Sequence, residues 1–483
     1  MGKFLRISAW LLLVSGLTWV AVIAYWQVAE VRPQARDLVL YLGVLPLAIF
    51  AVLVLGKRGY DSARHKASAQ TAEPEADAGS APVAASGPPA TPMPPLAILD
   101  GALHVPAGLD PANVLAALAG SSSPALHDRL RDRDGFPAFA AWDRDLDVDA
   151  IADRLDALDG TREDEEQSRA LALLLPMATD FIATIATQHW PDASADGRFQ
   201  APHPAAPLAR LQVSLFLPAG WPAALSAAAR ELLVHEAQAM AIPAPHLAIE
   251  TLPASSAEAV WQRIAAIARE PVDPAAPVLH LLLACQSLVG ARSVQRLEQS
   301  GQLLTSRQPE GLLPGEGAAG VLLLAGEAAG GLAQPPRAWL RAYSTAHAGV
   351  SWQPRTGAQQ IAGQLQDLIA LASVDGDAPT SVVSDADLRR NRNAALGSAL
   401  SQVLPDIDIE HDSVRTGIAC GELGIVAPLV LLALATAKTE ADAAPSVAMA
   451  IAEADRRTFA LITPPLPAAA AAADSTPGTP QAA

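Results

Sequence analysis

The sequence predicts an α/β body with buried sheets, placed behind an N-terminal pair of membrane spans. Short apolar or β-branched runs, such as 211–217 (LQVSLFL) and 278–285 (VLHLLLAC), alternate with Ala- and Leu-rich stretches of helical spacing. The second of these runs is continuously apolar rather than alternating, as in strands covered on both faces. Residues 8–55 hold two uncharged runs that are each long enough to cross a bilayer core.

The two spans come first. Residues 8–27 (SAWLLLVSGLTWVAVIAYWQ) and 38–55 (LVLYLGVLPLAIFAVLVL) are separated by a loop with Glu30, Arg32, Arg36 and Asp37. The bland alternative for each run is a buried core helix, but two adjacent uncharged runs of this length are rare in soluble folds. A cleaved signal peptide would account for the first run and not the second. Lys3 and Arg6 precede the pair, and Lys57, Arg58, Arg64 and Lys66 follow it. Basic flanks stay on the cytoplasmic side, so both termini are expected there, on a hairpin through a bacterial inner membrane. Pro46 is tolerated inside a membrane helix.

Residues 1–66 are thus read as the hairpin with its basic flanks. Residues 67–95, rich in Ala, Pro, Ser and Gly without apolar period, read as a linker, and 464–483 as a disordered tail of the same kind. The globular domain is 96–463, and no short repeat is visible in it. Within it, strands are expected at 211–217, 246–252, 278–285, 321–324 and 381–383, and helices at 221–240 and 257–269.

Composition narrows the function. The 483 residues carry a net charge of -17, with 51% hydrophobic and 17% charged residues and a mean hydropathy of +0.24. A body that grips nucleic-acid phosphate needs a basic face, so no nucleic-acid partner is expected. Two cysteines, Cys285 and Cys420, exclude a disulfide scaffold and fit a reducing compartment. Cys285 lies in an apolar strand and reads as inert core, and Cys420 precedes a Gly in a loop.

Familiar motifs fail. His235-Glu236 opens a zinc-protease pattern, but Ala239 stands where the second His is needed. Asp143, Asp145, Asp147 and Asp149 lack the turn glycine and closing Glu of a calcium loop. They read instead as a solvated loop in which Asp147 or Asp149 caps the next helix. No metal, cofactor or catalytic residue is assigned.

One segment stands out: 310–324, EGLLPGEGAAGVLLL. It reads as a turn that runs through small residues into a buried strand, with Gly315 and Gly317 permitting positive φ and close backbone approach. This segment resembles the Gly-Glu-Gly-Ala signature of β-ketoacyl synthases, which have the thiolase fold. The strand and turn at 278–288 (VLHLLLACQSL), the stretch 375–435 and the closing hairpin 446–462 are similar to that family in order. The likeness covers roughly 210–463, with 96–210 matched only loosely to the family's N-terminal half.

The resemblance implies positions for the family's catalytic residues, and each has changed. The nucleophilic Cys at the start of a buried helix would match TLPASSAEAV, 251–260, where Pro253 falls near the Cys position and Ser255 and Ser256 have no partnering His. The first His motif would match VVSDADLRRN, which puts Asp385 at the His position. The second would match ACGELGIVAP, which puts Glu422 there. The glycine-rich loop of the closing hairpin is replaced by Glu453-Ala454-Asp455-Arg456-Arg457. Two carboxylates would repel the enolate charge that two imidazoles stabilise, and a proline is no nucleophile.

The layout also resembles the membrane-associated lipase adaptors of bacterial type VI secretion. That resemblance implies a non-enzymatic adaptor with a lipase effector and a secretion-spike protein as partners, anchored through 8–55. The thiolase fold implies a homodimer. The alternative is a ketosynthase-type enzyme that binds or transfers acyl groups through an altered site.

Overall fold

The structure is a computed structural model that describes residues 93–465, apart from 121–123, 159–163, 191–209, 272, 274–275, 332–334, 348–353, 373–377 and 454. The spans at 8–27 and 38–55, the linker up to residue 92 and the tail from residue 466 lie outside the described residues.

The described strands are β1 (Leu96–His104), β2 (Ala125–Arg131), β3 (Pro137–Ala140), β4 (Arg210–Pro218), β5 (Leu247–Ala254) and β6 (Val278–Ser287). They continue with β7 (Glu316–Ala325), β8 (Ala338–His347), β9 (Ser381–Ser384), β10 (Ser413–Arg415), β11 (Ser446–Ala450) and β12 (Arg456–Thr463). The helices are α1 (Pro111–Leu118), α2 (Asp149–Asp156), α3 (Glu165–His189), α4 (Ala223–Ala239) and α5 (Ala257–Ile267). After these come α6 (Ala291–Gln299), α7 (Pro354–Ala372), α8 (Arg390–Val403), α9 (Thr416–Ala419) and α10 (Ala427–Asp442).

Ten strands form one sheet in the order β10-β9-β11-β12-β8-β1-β7-β6-β4-β5, and β2 and β3 make a separate hairpin. The long sheet is an internal duplication. Its halves, β5-β4-β6-β7-β1 and β10-β9-β11-β12-β8, use their strands in the same sequential order. In each half the second, third and fourth strands are parallel, and the fifth runs antiparallel to the fourth and to the first. The halves meet where β1 pairs with β8, Leu96 opposite Leu340 and Ala97 opposite Trp339. No repeat is legible in the sequence because what the halves share is burial pattern and topology, not residue identity.

Helices cover the sheet in layers. α3 and α4 pack on one face of the first half, burying Leu171, Leu174, Phe181 and Leu233 against Leu281 and Leu322. α7 and α8 cover the outer face of the second half, with Ile361, Leu365 and Leu400 against Phe459. α5 and α10 lie in the shared middle core, where Trp261, Ile264 and 429–435 pack on strands from both halves, among them Ile98, Val321, Leu340 and Ile462. Sandwiched strands explain the uninterrupted apolar run of β6, eight of whose ten residues are buried.

α3 and the stretch Gly424–Asp442 are long and apolar enough to cross a membrane. Here their apolar side chains are core: Leu173, Leu174, Leu431 and Leu432 are all fully buried against strands or neighbouring helices. α3 starts where the Asp164 carboxylate accepts the Gln167 N–H at 3.2 Å, and it carries Pro176 in its interior. The strands expected at 211–217, 246–252, 278–285, 321–324 and 381–383 all form, as do the helices at 221–240 and 257–269, with shifted ends. The largest shift is in β7, which starts at Glu316 because the small residues after it also pair into the sheet.

A closed candidate site at the carboxyl ends of the parallel strands

In open parallel sheets, the loops beyond the strand carboxyl ends gather the functional groups. Four such segments converge here. Ala257 opens α5 just past β5. Asp385 follows β9. Glu422 lies in the turn after α9, and Glu453 lies in the loop between β11 and β12. Ala257, Trp261, Asp385, Glu422 and Glu453 line a single cavity of about 20 Å³, room for one water molecule.

Asp385 is buried, and one of its carboxylate oxygens accepts the backbone N–H groups of Ile451 and Ala452 at 2.6 and 2.9 Å. Burial, reinforced by the nearby Glu422, pushes its carboxyl up to about 7 despite those hydrogen bonds. Two arginines hold the other side of the same loop. Arg392 donates to the Ile451 carbonyl at 2.8 Å and Arg389 to the Ala452 carbonyl at 3.1 Å. Arg389 is also clamped by Asp387, at 2.9 and 2.6 Å. Burial, with Arg389 beside it, lowers Arg392 to about 10.

Glu422 is fixed by its backbone, whose N–H donates to the Leu313 carbonyl at 2.8 Å, and its carboxylate accepts the Gly424 N–H at 3.1 Å. Burial raises it above the usual carboxylate range. The Glu453 carboxylate accepts the Ala257 N–H at 3.2 Å, at the positive end of the α5 dipole. Burial raises Glu453 as well. Arg456 of the same hairpin pairs with Glu258 in the first turn of α5. The hairpin loop therefore closes over the helix N-terminus from two points.

The residues singled out in the sequence separate into two groups. Asp385, Glu422, Glu453 and Arg456 come together with the start of α5. Pro253 does not join them: it lies inside β5, in register with Leu217. Ser256 is the N-cap residue of α5, but its side chain makes no capping hydrogen bond. Cys285 and Cys420 are fully buried, and burial pushes the Cys420 thiol up to about 12 and Cys285 higher still. Neither thiol is poised as a nucleophile. Among the described residues no group of His, Cys, Asp and Glu side chains forms a metal site.

One expectation needs correction. Gly315 and Gly317 do not adopt positive φ. They are small for clearance, since a Cβ on Gly315 would lie 2.1 Å from the Cys420 carbonyl oxygen and one on Gly317 would lie 3.0 Å from Val105. The aspartate stretch is largely the solvated loop expected, with Asp145, Asp147 and Asp149 exposed and Asp143 half-buried. Asp143 bonds His104 at 2.8 Å, and its carbonyl accepts from Arg169 at 2.9 Å. Asp147 does serve the next helix, accepting the Ala150 N–H at 3.1 Å.

Sequence reasoning gave the signature glutamate no role, yet it is a structural hub. Glu316 is fully buried and takes both guanidinium contacts of Arg169, at 2.8 and 2.5 Å. It also accepts from the Ser287 hydroxyl at 2.8 Å and the Asp143 N–H at 3.0 Å. This network joins α3, β6, β7 and the segment before α2. The signal available in the sequence was a lone Glu inside a run of small and apolar residues, which must be paired if it is buried.

The architecture is a thiolase-type fold. The structure is similar to the oxazolomycin ketosynthase domain OzmH KS7 of Streptomyces albus JA3453, at 14% identity and a TM-score of 0.51, over 77% of this chain and 75% of that one. It is similar to the ketosynthase from module 6 of the bacillaene synthase of Bacillus subtilis 168, at 12% identity and a TM-score of 0.51, over 77% and 72%. A β-ketoacyl synthase from Burkholderia phymatum STM815 matches at 13% identity and a TM-score of 0.50, over 77% of this chain and 100% of that one. At these identities the likeness is one of fold. No curated protein matches the sequence.

Residues 343–464 match the family model described as the C-terminal region of the type VI lipase adapter protein Tla3. That stretch corresponds to most of the second half of the duplication, β8 to β12. The chain has a thiolase-type fold, and its residues 343–464 resemble the C-terminal region of the type VI lipase adapters.

Proposed function

We propose that this protein is a non-enzymatic adaptor that binds a protein partner, the partner being a lipase effector on its way to type VI secretion. The observation that carries the reading is the closure of the α5 N-terminus by Glu453. In a thiolase-type enzyme this helix end would favour a thiolate and a substrate oxyanion. In this chain its field acts on a carboxylate of the protein itself, and the space left has room for one water. Asp385 and Glu422 add two more acidic groups, and as carboxylates they offer neither the hydrogen-bond donor nor the positive charge that a carbanion or enolate intermediate requires. The match of the second half to the lipase-adapter family supports the choice of partner. The spans at 8–55 would hold the adaptor at the inner membrane, with 67–95 as the tether and 96–463 on the cytoplasmic side.

The test has two arms on the full-length protein. Incubation with acyl-CoA and acyl-carrier-protein donors is expected to leave its intact mass unchanged. Affinity capture from solubilised membranes is expected to recover a lipase together with a secretion-spike protein. A covalent acyl adduct would instead favour the ketosynthase-type alternative.

A further inference from the structure

A second cavity, of about 650 Å³, opens at the other end of α5. Its wall includes Arg269, two residues past the end of that helix, together with Pro94, Pro95 and Pro336 and the β8 residues Trp339 and Arg341. An eleven-residue helix spans about 16 Å, so this cavity is separate from the closed site at Ala257. Its size is that of pockets that take small organic ligands, which run from roughly 300 to 1,000 Å³.

The charge inside it is unusual for so acidic a chain. Arg154, Arg169, Arg263, Arg337 and Arg389 each hold a carboxylate. Arg341 is half-buried and holds none among the described residues. Its side-chain hydrogen bond is a 3.3 Å contact from Nε to the Thr463 hydroxyl, and its terminal guanidinium nitrogens have no partner among the described residues. The guanidinium lies 5.5 Å from the centre of the Trp339 ring, which fixes its direction. Arg269 is exposed, and among the described residues its side chain donates only to the Ala265 carbonyl, at 3.0 Å. Glu270 also lines the cavity, but its carboxylate faces Arg263 at 2.8 Å and His280 at 3.5 Å.

A half-buried cation without a counter-charge is costly, and an anion that fills the site removes that cost. Two guanidinium groups match an anion that offers several oxygens in a tetrahedral array better than one planar carboxylate. The prolines and Trp339 offer apolar surface for a carbon skeleton beside that anion.

We propose that this cavity binds the phosphate group of an organic phosphate, with Arg341 and Arg269 as its two anion-holding residues and Trp339 and the prolines against the organic part. The inference is independent of the adaptor reading. Lipid headgroups and soluble phosphate esters share this chemistry.

The full-length protein in a neutral detergent would be titrated calorimetrically with glycerol phosphate and with short-chain phosphatidylglycerol. Saturable binding of at least one is expected, weakened about ten-fold or more by Arg341→Gln and also weakened by Arg269→Gln. Arg341→Lys, which keeps the charge and loses the fork, should fall between. Arg269 is exposed, so its variant tests the proposal even if Arg341→Gln folds poorly. Ten-fold tighter binding of the phosphatidylglycerol would support a lipid headgroup as the ligand. Equal binding would support a soluble ester. No saturable binding of either probe, or binding unaffected by both glutamine variants, would overturn the proposal.

Discussion

The Glu453 carboxylate accepts the backbone N–H of Ala257 at 3.2 Å, so a side chain from the closing hairpin caps the central helix of the fold. Ser256, the local N-cap residue, leaves that N–H free. The cap comes from 196 residues further along the chain and ties the hairpin loop to the helix. With Arg456 on Glu258, it holds the hairpin loop against the first turn of the helix.

Removing that cap should cost stability without creating activity. Glu453→Ala is expected to lose about 1 kcal/mol, as loss of an N-cap does elsewhere. Denaturant titration of the full-length protein in detergent would measure it. The same variant should remain unmodified by acyl donors, because opening the cavity brings no nucleophile into it. An acyl adduct that appears only in Glu453→Ala would mean that the loop is a lid on a latent site.

Asp385 makes a prediction with a definite sign. Its folded-state carboxyl is raised to about 7, above the ordinary value near 3.9. In the interval between these values the folded state holds a proton that the unfolded state has lost. Its contribution to stability is therefore full below about pH 4 and is lost as pH rises through about 7. Asn at this position keeps an oxygen that can accept the Ile451 and Ala452 N–H groups and has no charge to bury. Asp385→Asn should match the parent protein near pH 4 and exceed it in stability by a few kcal/mol at pH 8. Unfolding free energies measured across that range would decide, and a difference that does not change with pH would contradict the assignment.

The Arg169–Glu316 pair should tolerate loss of one partner badly. Both side chains are buried and share three further partners in Ser287, Asp143 and its carbonyl. Glu316→Ala leaves an uncompensated guanidinium in the core, and a loss of about 3–5 kcal/mol is expected. The double variant Arg169→Met with Glu316→Leu removes both charges and should be less destabilised than Glu316→Ala alone. Urea midpoints of the two variants give the comparison directly.

Five strands and two helices between 210 and 383 are legible in the sequence because each is a strongly apolar or Ala-rich run of fitting length, whereas β8, β10 and α6 to α10 are not. The first half of the body was harder to read. β1 lies in the middle of the sheet, but LAILDGALH reads ambiguously, since a single acid interrupts it and its partners, β7 and β8, lie more than 200 residues away. α10 is so uniformly apolar that it shows almost no helical period, and only its packing between both halves of the sheet reveals it as the central helix. Within the site, Asp385 and Glu422 could be placed from local motifs. Capping of α5 by Glu453 could not, because it depends on where the closing hairpin folds back and on no spacing along the chain.

Gly315 and Gly317 offer a final test, because the signature contains two glycines with different neighbours. Gly315 lies under the turn that carries Glu422, where Leu313 accepts the Glu422 N–H and Pro314 bridges to Glu422. A methyl group at 315 would lie 2.1 Å from the Cys420 carbonyl oxygen and 3.0 Å from the Glu422 backbone, so backbone must move. A methyl group at 317 would meet Val105 Cγ1 at 3.0 Å and Leu423 Cδ2 at 3.2 Å, and these are side-chain atoms that can rotate away. Gly315→Ala is therefore expected to destabilise by about 3 kcal/mol, the upper end of the usual overpacking cost, and Gly317→Ala by nearer 1 kcal/mol. Because the 315 clash also displaces the turn bearing Glu422, that variant alone should increase hydrogen exchange at Gly424, whose N–H the Glu422 carboxylate holds at 3.1 Å. Equal losses of stability in the two variants, with exchange at Gly424 unchanged, would show that the glycines are there for the strand and not for the turn above it.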